Sequence, residues 1–430
     1  MKLPINIILM AVIISGFASI SLASEQTKDS NTPQTLNDYL THAALNNAAL
    51  KASFEQWKVA IHQIPQAKAL PDPKFTYGYF IREVETRTGP QRNKFGLMQV
   101  FPWFGKIQAR TDTAASTAKA ASKRYEAQKL TLFRQVKDAF YEYTYLARAI
   151  EIAKQNLELL KHFEEVARIK YIAAAATHPD VIRAQVELAK IEDALRSLED
   201  LRAPISARLN AVLNRKSFEI LPWPAREEFE PRTVDSQHLI AMLRKRNPDI
   251  AALDYETRAA RSNVELAKKN FWPDVAVGLD YIETGSAVSP GVGDSGKDPI
   301  MLAFSINLPI WRNSYKAAER QAKANVRKKL QQKADVENKI IARAEQVLYG
   351  FDDSNRKIKL YGDILVPKAE ELLQASETAY QGGTVDFLNL IDAQRTLLDF
   401  QLRYERAVTN NSQKLAELEM LVGTELPQKP

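Results

Sequence analysis

The sequence predicts an α+β membrane protein: two tandem copies of one unit, each placing two short strands of the lipid-facing kind among very long coiled-coil helices. Three observations carry that prediction. Motifs recur at a nearly fixed offset, two pairs of segments alternate with period two, and the remaining stretches keep a 3-4 apolar spacing without helix breakers.

The repeat comes first because it decides the fold. Pro73-Lys-Phe-Thr-Tyr-Gly78 and Pro273-Asp-Val-Ala-Val-Gly278 share the pattern Pro-x-apolar-x-apolar-Gly, 200 positions apart. Asn47 and Asn247 fall at the same offset. Further on, Phe101-Pro102 returns as Leu308-Pro309, and Tyr171 and Ala184-Gln185 return as Tyr380 and Ala393-Gln394, so the offset grows to 207 and then 209. The copies span 36–213 and 238–423, and the proline-rich linker 214–237 joins them.

The N-terminal 1–23 has the form of a secretory signal peptide. Lys2 precedes an apolar run from Ile5 to Leu22, interrupted by Asn6, Ser15, Gly16, Ser19 and Ser21, and Ser21-Leu22-Ala23 is a small-x-small cleavage pattern. An uncleaved anchor fits less well, because the run is broken and ends in small residues. Cleavage would leave a mature chain from about Ser24, with 24–35 a polar tail and 424–430 a C-terminal tail.

Composition narrows the function classes. The 430 residues contain no cysteine, which excludes disulfides, thiolate metal sites, cysteine nucleophiles and a lipid-modified N-terminal cysteine. The formal charge of +7 falls to +6 without Lys2, and the charges are interspersed, so no nucleic-acid footprint is expected. The five histidines, His42, His62, His162, His178 and His238, show no paired ligand spacing. No metal site and no cofactor are expected. Beyond the signal, no stretch approaches the roughly 20 apolar residues of a membrane helix. Any membrane crossing must therefore use strands.

Four strands are expected, at about 73–84, 94–101, 273–282 and 300–308. Val275, Val277, Leu279 and Tyr281 alternate with Asp274, Ala276, Gly278 and Asp280, and Ile300, Leu302, Phe304, Ile306 and Leu308 alternate with smaller residues. In the first copy Phe75, Tyr77, Tyr79 and Ile81 make one face, and Phe95, Leu97 and Phe101 another. A soluble sandwich gives the same alternation, but a length of about ten residues and flanking aromatics favour tilted transmembrane strands. Trp103, Phe104, Trp272 and Trp311 sit where strands meet helices, as an interfacial aromatic girdle would.

The helices follow. Phe133, Val136, Phe140, Tyr143, Ala147, Ile150 and Leu157 keep a 3-4 spacing, and so do Ala184, Leu188, Ile191, Leu195, Leu198, Ile205 and Leu209. The latter phase reappears 209 residues later as Ala393, Leu397, Phe400, Tyr404, Ala407, Asn411, Lys414 and Leu418. From Lys106 to Ala175 no glycine or proline intervenes; as continuous helix this reaches roughly 100 Å. Such helices alone suit a periplasmic coiled-coil tether without a pore. A tether has no use for the four strands.

Leu70-Pro71-Asp72-Pro73, Gly89-Pro90, Gln99-Val-Phe-Pro-Trp-Phe-Gly-Lys106 and Tyr380-Gln-Gly-Gly-Thr-Val-Asp-Phe-Leu-Asn-Leu-Ile-Asp-Ala-Gln-Arg395 together resemble the TolC family of outer-membrane efflux proteins, most like its heavy-metal cation efflux branch. The resemblance covers essentially the whole mature chain. It implies a homotrimer whose chains each give four strands to one shared twelve-stranded outer-membrane β-barrel and long helices to an α-helical periplasmic tunnel. It also implies a periplasmic adaptor protein and an inner-membrane pump, commonly of the resistance-nodulation-division class, and a passive duct without chemistry of its own. Drug efflux or type I protein secretion are the alternative cargo readings. Lone strand edges in lipid are costly, which agrees with subunits completing the barrel.

The helix-to-helix turns are the tips of the rods. In the second copy Gly382 and Gly383 break the helix, Thr384 can cap a next helix beginning near Val385, and Asp386, Asn389 and Asp392 follow at i, i+3 and i+6. In a trimer that face would ring the mouth with carboxylates; alternatively, Asp386 only favours the positive helix end. The resemblance places Asn389 and Asp392 where the family has two gate aspartates, with Asn389 departing from that pattern. In the first copy Ala173 and Ala174 replace the glycines, Ala175 follows, Thr177 caps and Asp180 completes a box. An adaptor can tell the unequal tips apart, or the inequality is only turn geometry.

One stretch points elsewhere. In SPGVGDSGKDP, Gly291, Gly293 and Gly296 satisfy G-x-G-x-x-G, and Gly293-Asp294-Ser295-Gly296 resembles a serine-protease segment, with Lys297 following. A phosphate cradle needs a helix immediately after it, and a strand is expected at 300–308. By the repeat this stretch matches the connection 85–93 and becomes an extracellular loop between barrel strands. No enzyme is expected.

Overall fold

The computed structural model describes residues 35–224 and 229–426. The signal peptide 1–23, residues 24–34 of the N-terminal tail, linker residues 225–228 and tail residues 427–430 lie outside the described residues. In order, the first copy contains α1 (Leu36–Asn46), α2 (Ala48–Lys68), β1 (Lys74–Thr86), β2 (Gly89–Phe101), α3 (Lys106–Ile172), α4 (His178–Asp200) and α5 (Arg202–Leu213). The second contains α6 (Ser236–Arg246), α7 (Pro248–Lys269), β3 (Val275–Thr284), β4 (Ile300–Ile306), α8 (Arg312–Lys359), a π-helical turn Leu360–Leu365, α9 (Val366–Gln381) and α10 (Phe387–Val422).

The two copies close on themselves in the same way. The Asn47 side chain accepts from the Leu50 amide at 3.0 Å, capping α2, and donates to the Val212 carbonyl at 2.9 Å. Asn247 does the same with the Ile250 amide at 3.0 Å and the Leu421 carbonyl at 2.8 Å. One side chain thus satisfies a helix start and ties it to the end of the copy's return helix.

The strands form one antiparallel sheet in the order β1-β2-β3-β4, and its register pairs Phe75 with Leu97, Leu97 with Leu279 and Leu279 with Leu302. All four strand bounds differ from expectation. The strand expected from 94 begins at Gly89, and the connection expected over 85–93 shrinks to a turn around Arg87 and Thr88. Gly89 makes this possible with φ +132°, and a Cβ there would collide with the Gly285 carbonyl. The Thr86 hydroxyl donates to the Gly89 carbonyl at 2.7 Å and closes the turn. β3 is displaced two residues toward the loop because Pro273 and Asp274 belong to the helix junction, and β4 stops at Ile306, where Asn307 turns its side chain to the Asp274 amide. β1 begins at Lys74 and runs on to Thr86, paired with a β2 that also has 13 residues.

α3 is a single helix of 67 residues, about 100 Å at 1.5 Å per residue. Two of the other long segments are interrupted, and a proline follows each break. Pro204 cannot donate to the Asp200 carbonyl, and the return helix of copy one splits into α4 and α5 around Leu201. Pro367 cannot donate to the Asp363 carbonyl, and α8 passes through the π-helical turn before α9. α10 has no proline and runs 36 residues.

Three apolar cores hold these helices. One joins α1, α3 and α5 around Tyr39, Phe140 and Tyr143; a second joins α6, α8 and α10 around Leu243, Phe351 and Leu418. The third lies toward the tips and joins α3 and α4 to α9 and α10 through Phe163, Ala184, Tyr380 and Phe387. Fully burying a Phe or Leu side chain contributes about 1.5–3 kcal/mol.

The buried stripe of α3 runs through Leu132, Val136, Phe140, Tyr143, Leu146, Ile150, Ala153, Leu160, Phe163 and Ala167. Phe133, Ala147 and Leu157, expected on the seam, lie half-buried at its edge, because α3 packs on several neighbours at once. Ala184, Ile191, Leu209, Ala393, Leu397, Ala407, Asn411 and Leu418 are buried as expected; Leu188, Leu195, Leu198, Ile205, Phe400, Tyr404 and Lys414 are only partly so. Polar seam positions are paired: Gln394 donates to Asn156 at 3.0 Å, and Asn411 donates to the Asn355 side chain at 2.9 Å. Such pairs fix register at some cost in stability.

Candidate functional site

At the first tip α3 ends at Ile172, and the chain turns on Ala174 in the left-handed region, φ 55°. Ala175 and Ala176 amides both return to the Lys170 carbonyl, at 2.7 and 3.2 Å. The Asp180 carboxylate accepts from the Thr177 amide at 3.1 Å and hydroxyl at 2.7 Å, and Pro179 fits the first turn.

At the second tip Gly383, φ 75°, occupies the place of Ala174, and the Thr384 amide and hydroxyl return to the Ala379 carbonyl at 2.9 and 3.0 Å. Thr384 therefore ends α9 instead of starting α10. The expected start near Val385 is corrected to Phe387, with Asp386 in the N-cap position but making no side-chain cap bond. Phe387 is buried against Tyr380, ring centroids 5.3 Å apart, and this contact sets where the helix begins.

The tips are tied together. Lys170 of the first donates to the Tyr380 carbonyl of the second and lies 4.7 Å from the centre of the Tyr380 ring. Burial pushes the Tyr380 hydroxyl pKa up, with the Asp180 carboxylate adding to it.

Asp386, Asn389 and Asp392 are all exposed on α10 near this tip, with Leu388 among them. One turn further, Arg395 grips Glu187 of α4 with two nitrogens, Nε to Oε2 at 3.0 Å, while Lys190 reaches the same carboxylate at 2.8 Å. The Arg395 guanidinium, then Lys190, holds the Glu187 carboxyl below the usual range. Sequence reasoning missed this pair, since it joins helices of different copies 208 positions apart.

At the other end of α3 the aromatic residues gather. Trp103 stacks on Trp272 at 5.3 Å and 7°, and Phe104 lies edge-on at 5.7 Å. Trp311 is exposed and forms no ring contact with them among the described residues. Beneath them lies a second unforeseen feature. Buried Lys106 donates to Asp274 Oδ1 at 2.7 Å and to the Trp272 carbonyl at 2.9 Å, while the Trp103 amide donates to the same carboxylate oxygen at 2.7 Å. The first turn of α3 is thereby fixed to the base of β3. The only sequence signal was the position of Lys106 after Gly105, whose left-handed φ of 79° turns the chain into the helix.

The sheet above is apolar on one face, where Phe75, Leu97, Leu302 and Phe304 are 67, 56, 60 and 70 % exposed. No described helix is long and apolar enough to cross a membrane. The glycine-rich stretch is a loop between β3 and β4, so no helix follows it and no phosphate cradle forms. Gly291, Asp294 and Gly296 adopt left-handed φ, and Gly293 leaves open space. Lys297 pairs with Asp294 at 3.5 Å, Ser295 Oγ accepts from the Ala287 amide at 2.9 Å, and the Gly296 amide donates to the Thr88 carbonyl at 2.7 Å. Among the described residues no group of three or more His, Asp or Glu is placed to hold a metal ion.

The sequence profile described as "Outer membrane efflux protein" matches residues 40–215 and again 239–424, the two copies. The chain belongs to this family. As an outer membrane efflux protein it is a channel subunit and not an enzyme. It is 22 % identical to Nodulation protein T of Rhizobium leguminosarum bv. trifolii over 90 % of this chain and 85 % of that one. Cobalt-zinc-cadmium resistance protein CzcC of Cupriavidus metallidurans is 21 % identical over 91 % of this chain and 90 % of its own. The crystal structure of the outer membrane protein VceC from Vibrio cholerae shares the fold, with TM-score 0.73 at 19 % identity, covering 90 % of this chain and 96 % of that one.

Proposed function

We propose that this outer membrane efflux protein is one third of a homotrimeric passive duct from periplasm to exterior that carries heavy-metal cations. Within the chain β1 and β4 have one unpaired edge each, and three copies would close them into twelve antiparallel strands. The exposed apolar face would meet lipid, with Trp103, Phe104, Trp272 and Trp311 at the periplasmic interface and the loop bearing Gly291, Gly293, Asp294, Gly296 and Lys297 at the exterior. At the far tips Ala174, Ala175, Thr177, Gly382, Gly383 and Thr384 would contact a periplasmic adaptor, which joins the duct to an inner-membrane pump of the resistance-nodulation-division class. Asp386, Asn389 and Asp392 would ring the aperture with carboxylates and favour cations.

The observation that carries the cargo assignment is the similarity to CzcC across nearly the full length of both chains. Deletion of the gene, followed by a susceptibility panel of divalent metals and hydrophobic drugs and by membrane fractionation, tests it. Metal sensitivity with the protein in the outer membrane is expected; sensitivity to drugs alone overturns the metal cargo. Nodulation protein T, whose name carries no metal, is similar to a comparable degree, which keeps drug efflux or type I protein secretion as the second reading.

A further inference from the structure

The non-lipid face of the sheet carries an ion pair that the aperture reading does not use. Lys94 of β2 bonds Asp280 of β3 at 2.8 Å, a diagonal contact, since Gly96 is the direct partner of Asp280 and Lys94 that of Ile282. Along this face glycines stand opposite the long side chains: Gly78 opposite Lys94, Gly96 opposite Asp280, and Gly278 opposite Met98. The empty place at Gly96 is occupied by the carboxylate itself, because a Cβ there would come within 2.5 Å of Asp280 Oδ1. The pair lies along the wall, with side chains 36 % (Lys94) and 17 % (Asp280) exposed.

Alternation sets which face this is. Phe95, Leu97, Leu279 and Tyr281 share the apolar face, so Lys94, Gly96, Gly278 and Asp280 share the opposite one. In the closed trimer, on which this inference rests, that face lines the lumen. Between Lys74 and Asp274 at its base and Arg92 at its rim, Lys94 and Asp280 are the ionisable residues of the paired registers on this face; Glu283, opposite Asn93, falls on the other face with Tyr281.

We infer that three Lys94–Asp280 pairs form a charge-neutral rung halfway along the barrel, which makes this part of the duct indifferent to the sign of its cargo. Three unpaired aspartates would hold cations in transit, and three unpaired lysines would repel them. Pairing avoids both, so charge discrimination is left to the aperture. Lys94 and Asp280 are in this sense residues that determine specificity by cancelling it.

Reversal potentials in planar bilayers, under a potassium chloride gradient near 0.1 M, test this with purified trimers of the full mature chain. Lys94→Met is expected to raise the cation-to-anion permeability ratio about threefold, Asp280→Asn to lower it about threefold, and the double variant to return it to the wild-type value. In 1 M salt, with a screening length of about 3 Å, both shifts should collapse. If one single variant fails to insert, the other still decides. Conducting variants with unmoved reversal potentials overturn the rung alone; a wild-type protein that never conducts overturns the duct reading and the rung with it.

Discussion

The two tips solve one turn with different chemistry. The second places Gly383 at a left-handed φ without steric cost and leaves α10 without a side-chain cap, whereas the first places Ala174 in nearly the same backbone state and anchors α4 with Thr177 and Asp180. Strain at one tip is offset by capping, and the lack of capping at the other by relaxed backbone. The duplication therefore preserved shape while the means of holding it diverged. The barrel ends differ too: Lys106 ties the first junction to Asp274, and the aligned position of the second copy, Asn313, offers no such cation.

The largest test of that asymmetry is Asp274→Ala. It strands a buried ammonium and the Trp103 amide, and should cost about 3–5 kcal/mol in denaturant unfolding of the detergent-solubilised protein. Asn313→Ala should cost within about 0.5 kcal/mol, as for ordinary surface positions; equal losses would erase the distinction between the junctions. Next comes Arg395→Ala, which removes the clamp between copies at Glu187. Because the Glu187 pKa is depressed in the fold, its contribution is present above the ordinary glutamate value of about 4.3 and is lost as pH falls through the depressed one. Tip protection measured by hydrogen exchange should decline on acidification in the wild type below that value. In the variant it should already be low and show a smaller acid step, since Lys190 alone still holds the carboxylate.

The tips themselves come next. Ala174→Gly should stabilise and Gly383→Ala destabilise, each by about 1 kcal/mol, since only glycine tolerates the left-handed state freely. Shifts of the same sign would mean that the two turns are not equivalent. Asp180→Ala should lose about 1 kcal/mol with the capping box, while Asp386→Ala, which makes no cap bond, should leave helix stability unchanged. Smallest of all, Ser295→Ala should alter neither stability nor conductance, because its hydroxyl only accepts one loop amide.

Much of this was legible beforehand. The paired Asn47 and Asn247, the two Pro-x-apolar-x-apolar-Gly segments and the breaker-free run after Lys106 announced the repeat, the strands and the longest helix. The early start of β2 was hidden because Arg87 to Asn93 is polar and charged like a loop, and only the backbone freedom of Gly89 makes it a hairpin. Pro204 and Pro367 sat in plain view, but a proline does not say whether a helix splits or widens into a π turn; packing decides that. Thr384 looked like a cap from its type, yet the buried contact between Tyr380 and Phe387 moved the helix start past it. Contacts such as Arg395 to Glu187 and Lys94 to Asp280 belong to the tertiary level and leave no periodic trace.

The asparagine clasp gives each copy the topology of a buckled belt. Asn47 reaches 165 residues ahead and Asn247 174, and each returns to the end of the copy it began. Neither belt is fastened to the other by its buckle. The covalent thread between them is not part of either closure: a chain nicked in the linker is expected to keep both buckles shut, each asparagine still bonded to the return helix of its own copy.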